Sequence, residues 1–121
     1  MFNVSRSDFE LFVQDTVSNL PDNIKDNLNN VDIVVDEFPT NNQLLGMNLS
    51  DRSDLLGLYE GIPVTLRSTY DMVLPDKITV FQHSIESICD TVEELTSEIE
   101  KTILHEIAHH FGITDEELEH L

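Results

Sequence analysis

The chain has 121 residues, 40% of them hydrophobic and 7% aromatic, which suits one packed domain over residues 1–121 and excludes disorder. Twenty-four acidic residues face six basic ones, for a formal net charge of −18. The six (Arg6, Lys25, Arg52, Arg67, Lys77 and Lys101) are scattered, so no basic stripe exists to neutralise nucleic-acid phosphates or anionic lipid headgroups.

No apolar run approaches the ~18 residues that a membrane span needs. The N-terminus lacks the basic start and apolar stretch of a signal peptide. A single cysteine, Cys89, rules out a disulfide framework within the chain and reads as a small buried hydrophobe. Together these features predict a cytoplasmic protein that binds neither nucleic acid nor membrane.

In chain order, the first element is a helix. Ser7 followed by Glu10 matches a capping box, and Phe9, Phe12, Val13, Val17 and Leu20 form one apolar stripe that Pro21 ends. Asp22 to Asn30 is polar and reads as a short helix or a loop. Val31 to Val35 is β-branched and closed by Pro39, which predicts a strand. Thr40 to Asp54 reads as a loop. Leu55 to Pro63 carries Gly57, Gly61 and Pro63, which predict a bent segment, with a brief strand at Val64 to Leu66. Lys77 to Phe81 alternates polar and apolar residues, as a half-exposed strand at a sheet edge does.

The last long element is a helix from Thr91 to Phe111. Asp90 and Glu93 give it a capping pattern, and Val92, Leu95, Ile99, Ile103, Ile107 and Phe111 recur every three or four residues. Gly112 follows, where a left-handed cap is expected. A helix of that length crosses the whole core of a small domain.

This helix carries His105-Glu106-Ile107-Ala108-His109. Histidines at i and i+4 share a face one turn apart, so both imidazoles reach one cation, and neutral imidazole is a good zinc ligand. Glu106 lies about 100° round the helix from His105. It is poorly placed to share the metal's inner shell but well placed to take a proton from a water on the metal. This is the content of the H-E-x-x-H pattern, and Ile99, Ile103 and Ile107 on the opposite face leave the histidines free to line a cleft.

A third ligand is expected after Gly112, which lets the chain reverse sharply. The run His105-Glu106-x-x-His109-x-x-Gly112-x-x-Asp115 puts Asp115 where the extended zinc-peptidase pattern has a third histidine, and a carboxylate oxygen also binds zinc. Against this, Thr114 with Glu117 forms a capping box that would commit Asp115 and Glu116 to the start of a last short helix. Glu116, Glu117, His120 or water are the alternatives to Asp115. Manganese, iron and cobalt also accept such ligands. His110 shares the side of Glu106 and is an oxyanion donor, a partner to a metal ligand, or a packed or solvent-facing histidine. His83 follows a strand and reads as structural. Tyr59 and Tyr70 are the phenols available to steady a tetrahedral intermediate.

Three blocks in this order, Leu55-Leu56-Gly57-Leu58-Tyr59-Glu60-Gly61-Ile62-Pro63, Leu74-Pro75-Asp76-Lys77-Ile78-Thr79-Val80-Phe81 and Thr102 to Ile113, resemble the bacterial minimal zincins. The resemblance runs from about residue 31 onward. It implies an α+β fold in which a small sheet and an N-terminal helix pack on a long C-terminal active-site helix. It also implies zinc at His105 and His109, a base at Glu106, and an acidic residue at the position of Asp115. Larger zinc peptidases have a second subdomain forming the other cleft wall, for which this chain lacks length. An open cleft, short peptide substrates, or a partner or second copy completing the cleft would follow.

The leading expectation is therefore a zinc-dependent metallopeptidase acting on peptide or protein substrates, which pair with the strand Lys77 to Phe81. The alternative is a non-catalytic zinc-binding or protein-interaction module with a vestigial peptidase site.

Overall fold

The computed structural model describes residues 3–28, 30–61 and 76–112. Helix α1 (Arg6–Ser18) is capped by Ser5, whose side chain accepts the Asp8 N–H, so the cap lies two residues before the predicted Ser7. Its apolar stripe does what the spacing requires: Phe9 and Val13 are buried, and Phe12 and Val17 pack beside them. A short helix, α2 (Asp22–Lys25), and one turn of 3₁₀ helix (Asp26–Leu28) lead into strand β1 (Val31–Asp36).

The stretch read as a loop contains helix α3 (Asn41–Gly46). Thr40 and Gln43 form a reciprocal capping box, each side chain taking the other's backbone N–H. The segment read as bent contains strand β2 (Gly57–Glu60), and β3 (Asp76–Phe81) follows. Helix α4 (Gln82–Glu86) starts directly after β3. The long helix α5 (Val92–Phe111) is capped by Thr91, which accepts the Glu94 N–H, one residue later than the predicted Asp90 cap. The candidate strand at Val64 to Leu66 lies outside the described residues.

The sheet order is β1-β3-β2, with β1 parallel and β2 antiparallel to β3. This corrects the expectation for Lys77 to Phe81. β3 is the central strand, and Ile78, Thr79, Val80 and Phe81 are all buried. The alternation of Lys77, Ile78, Thr79 and Val80 that suggested a half-exposed strand does not separate core from solvent. Its two faces meet two different apolar layers. Ile78 and Val80 face a cluster with Phe9, Val13, Leu95, Ile99, Ile103 and Ile107, while Phe81 joins Leu44 and Leu55 on the far side. A strand covered on both faces and paired at both edges offers no backbone to a substrate.

The main core lies between α1, α5 and one face of the sheet. Leu95, Ile99, Ile103 and Ile107 are fully buried, each contributing about 1.5–3 kcal/mol by removal from water. Their burial sets the rotation of α5 about its axis. Cys89 is buried, and burial pushes its thiol pKa up, so it behaves as a small apolar group. Among the described residues no helix is long and apolar enough to cross a membrane.

Candidate active site

With Ile103 and Ile107 anchored in the core, His105 and His109 emerge on the exposed side of the last two turns of α5. The helix ends as the sequence predicts: Gly112, at φ 71°, is left-handed, and its N–H bonds to the Ala108 carbonyl. His109 and His110 occupy the last turn, where the outward carbonyls carry the negative end of the helix dipole. Two exposed imidazoles one turn apart, at a terminus that favours positive charge, are a fitting donor set for a divalent cation. Among the described residues no third histidine, cysteine or carboxylate joins them. Asp115, Glu116, Glu117 and His120, the predicted sources of a third ligand, lie outside the described residues, as does Tyr70.

Glu106 points towards the sheet and is half-buried. Its Oε1 accepts the backbone N–H of Tyr59 at 3.1 Å. That amide is available because of strand register. Phe81 donates its N–H to the Leu56 carbonyl, so in the antiparallel ladder Leu58 and Glu60 also turn towards β3. Gly57 and Tyr59 therefore turn their N–H groups away from it. Burial raises the Glu106 carboxyl pKa above its ordinary value. The Tyr59 N–H and the charges of His109, His105 and His110 when protonated pull it back in part.

Gly57 brings β2 close enough for this contact. A Cβ there would stand 2.5 Å from Thr102 Cγ2, 3.2 Å from the Thr79 carbonyl oxygen and 3.9 Å from Glu106 Cγ. Strand and helix touch at that point, which only a residue without a side chain allows. Sequence reasoning reads Gly57 as a bend; a glycine within a strand also marks close approach of a neighbouring element, and that is the available signal. Beside this contact a groove of about 340 Å³ runs along α5, lined by Leu56, Gly57, Thr102, His105 and Glu106. Lys101 and Glu98 also line it, their charged atoms 3.7 Å apart.

Tyr59 is engaged on every side. Its hydroxyl donates to Asp76 Oδ2 at 2.7 Å, and its ring stacks on His110 with centroids 3.6 Å apart and planes 13° from parallel. The edge of Phe111 meets it at 5.9 Å. The hydroxyl is thus committed within the fold and does not stand ready for an oxyanion, and His110 is exposed with one ring face stacked on Tyr59. His83 belongs to a separate network. Its Nδ1 lies 2.8 Å from Oε1 of the buried Glu86, whose Oε2 accepts the N–H of Val4 and the amide of Gln82. That network fastens the segment before α1 to α4.

No curated protein matches the chain. Among solved structures, a conserved hypothetical protein from Thermo thermophilus is similar over 89% of this chain and 94% of its own, with 21% sequence identity and a TM-score of 0.58; that likeness is one of fold. Residues 28–121, most of the chain, match the model of one family, the zincin-like metallopeptidases. The chain belongs to the zincin-like metallopeptidase family.

Proposed function

We propose that this protein is a zinc-dependent peptidase in which His105 and His109 hold the metal, Asp115 completes the ligand set, and Glu106 is the general base. The observation that carries the reading is the half-buried Glu106 set between two exposed histidines one turn apart on one helix. When bound, zinc supplies Lewis acidity to the scissile carbonyl and to the attacking water.

The rest of the chemistry belongs to the chain. Glu106 takes the proton of the attacking water and returns it to the departing amine. Its raised pKa suits both halves of that task, since a base that is too weak does not accept the proton and one that is too strong does not release it. Anchoring of Oε1 by the Tyr59 N–H reduces the side-chain freedom lost on reaching the reactive geometry. An extended peptide lies along β2, not β3, because among the described residues β2 stands at an edge of the sheet. The groove lined by Leu56, Gly57 and Thr102 receives one side chain next to the scissile bond.

The test begins with metal content by mass spectrometry. The wild-type protein retains about one zinc per chain, and His109→Ala loses it. Peptide hydrolysis by the zinc-loaded protein then stops on chelation and on Glu106→Gln, which keeps its zinc. Hydrolysis that survives Glu106→Gln refutes the assignment of the base. Full zinc with no hydrolysis across a varied peptide library refutes the peptidase reading in favour of a metal-binding module.

A further inference from the structure

We propose that Tyr59 is a positioning residue for Glu106, held in place by a clamp of Asp76 and His110. Its catalytic consequence rests on the peptidase reading above, but the clamp itself does not.

A glutamate side chain has three rotatable bonds, and burying it in one arrangement costs on the order of 1.5–2 kcal/mol of rotamer freedom. Something must therefore hold Glu106 where a proton transfer requires it. The partner it has is a main-chain amide, at Tyr59, on a strand of only four residues. So short a strand keeps its distance from α5 only if its side chains fix it.

Gly57 sets the lower limit on that distance, because backbone and Thr102 already touch there. Tyr59, two residues on and on the same face, sets the lateral position. Its ring lies flat on His110, which is four residues beyond Glu106 and hence one turn further along the same side of α5. Its hydroxyl reaches Asp76, which lies diagonally across the sheet, two residues before the directly paired Ile78. One ring is thus tied to the helix that carries Glu106 and to the central strand. The backbone N–H of that same residue then meets the carboxylate. The clamp gives His110 a role in the His105 to His110 run that neither metal binding nor oxyanion stabilisation requires.

The experiment follows the residue-59 amide by ¹H–¹⁵N NMR in the metal-free protein, with Glu106→Ala marking its position when the carboxylate bond is lost. His110→Ala, at an exposed site, removes the ring from the helix side, and His110→Phe restores a stacking surface. Tyr59→Phe keeps the ring and deletes the Asp76 bond. The residue-59 amide is expected to move towards the Glu106→Ala position in His110→Ala, to move part of the way in Tyr59→Phe, and to stay near the wild-type position in His110→Phe. In the zinc-loaded protein, His110→Ala is expected to lower kcat roughly tenfold to a hundredfold with KM and zinc content unchanged, the scale of a small misplacement of a reacting group. His110→Phe recovers most of that loss.

An unmoved amide in His110→Ala overturns the clamp. So does a kcat loss that His110→Phe leaves unrepaired. If the wild-type protein binds zinc and cleaves nothing, the peptidase reading falls, and the amide shifts alone decide whether the clamp exists.

Discussion

Adding one methyl group at Gly57 tests the contact on which the site is built. In Gly57→Ala the new Cβ stands 2.5 Å from Thr102 Cγ2 and 3.2 Å from the Thr79 carbonyl oxygen. Thr102 is buried on a helix, where its branched side chain has few rotamers, and the Thr79 oxygen is backbone of the central strand. Neither yields cheaply, so overpacking costs about 1–3 kcal/mol. Alanine recovers about 0.5–1 kcal/mol through its lower backbone entropy in a strand. At the middle of both ranges the net loss is about 1.25 kcal/mol, which lowers the urea midpoint by roughly 0.6 M at a slope of about 2 kcal/mol/M. Thr102→Ser deletes only the colliding methyl. In that background Gly57→Ala should cost less by about 1 kcal/mol or more, a coupling that a double-mutant cycle reads directly. Circular dichroism in urea, with equal slopes checked across all four proteins, measures it. A Gly57→Ala protein as stable as the wild type, or an equal cost in both backgrounds, refutes the argument that strand and helix are in contact there.

Two further predictions concern the carboxylates of Glu106 and Glu86. The Glu106 pKa is raised in the folded protein above its ordinary value of 4.5, so between those two values the folded state holds more protons than the unfolded one. The favourable contribution is complete below the ordinary value and is lost as pH rises through the folded value. Metal-free Glu106→Gln should therefore be more stable than the wild type at neutral pH, with the advantage vanishing below about pH 4.5; thermal melts across that range check it, and a variant less stable at pH 7 contradicts it. Glu86→Ala should cost about 2–4 kcal/mol, because it leaves the Val4 N–H, the Gln82 amide and the His83 ring without their shared acceptor. Chemical denaturation measures the loss, and a change below about 0.5 kcal/mol would show the network to be dispensable.

The long helix was legible in the sequence because burial along it follows one period. Leu95, Ile99, Ile103 and Ile107 announce both the element and the side it presents to the core, and so imply that His105 and His109 face out. Its glycine cap was legible for a local reason, the φ of 71° that other residues avoid. Helix α3 was not read, although Thr40 and Gln43 carry its capping box; only six residues long, it shows too little apolar periodicity to outweigh its asparagines. β2 and the place of β3 were misread for a deeper reason. A strand's position in a sheet depends on what pairs with it, and alternation along β3 cannot distinguish solvent from a second apolar layer. The amide that holds Glu106 was invisible for the same reason. It is a backbone group, 47 residues away in the chain, and no side-chain pattern encodes it.

The candidate site sits where the fold can least relax. Glu106 is half-buried against a strand that a methyl group would displace, and its carboxyl is held above its ordinary pKa mainly by that burial. A glutamate placed purely for stability would face solvent at this end of the helix, where the outward carbonyls disfavour negative charge. Instead the chain keeps a carboxylate next to that negative end, offsets it with one main-chain N–H, and surrounds it with three histidines. Burial of that carboxylate costs stability, the Tyr59 N–H and the histidines when protonated recover part of it, and a divalent ion held as proposed between the imidazoles would recover more. If the proposed site binds a metal, that binding and the integrity of the last two turns of α5 should be one linked equilibrium, with the contact between β2 and α5 carrying the linkage into the sheet.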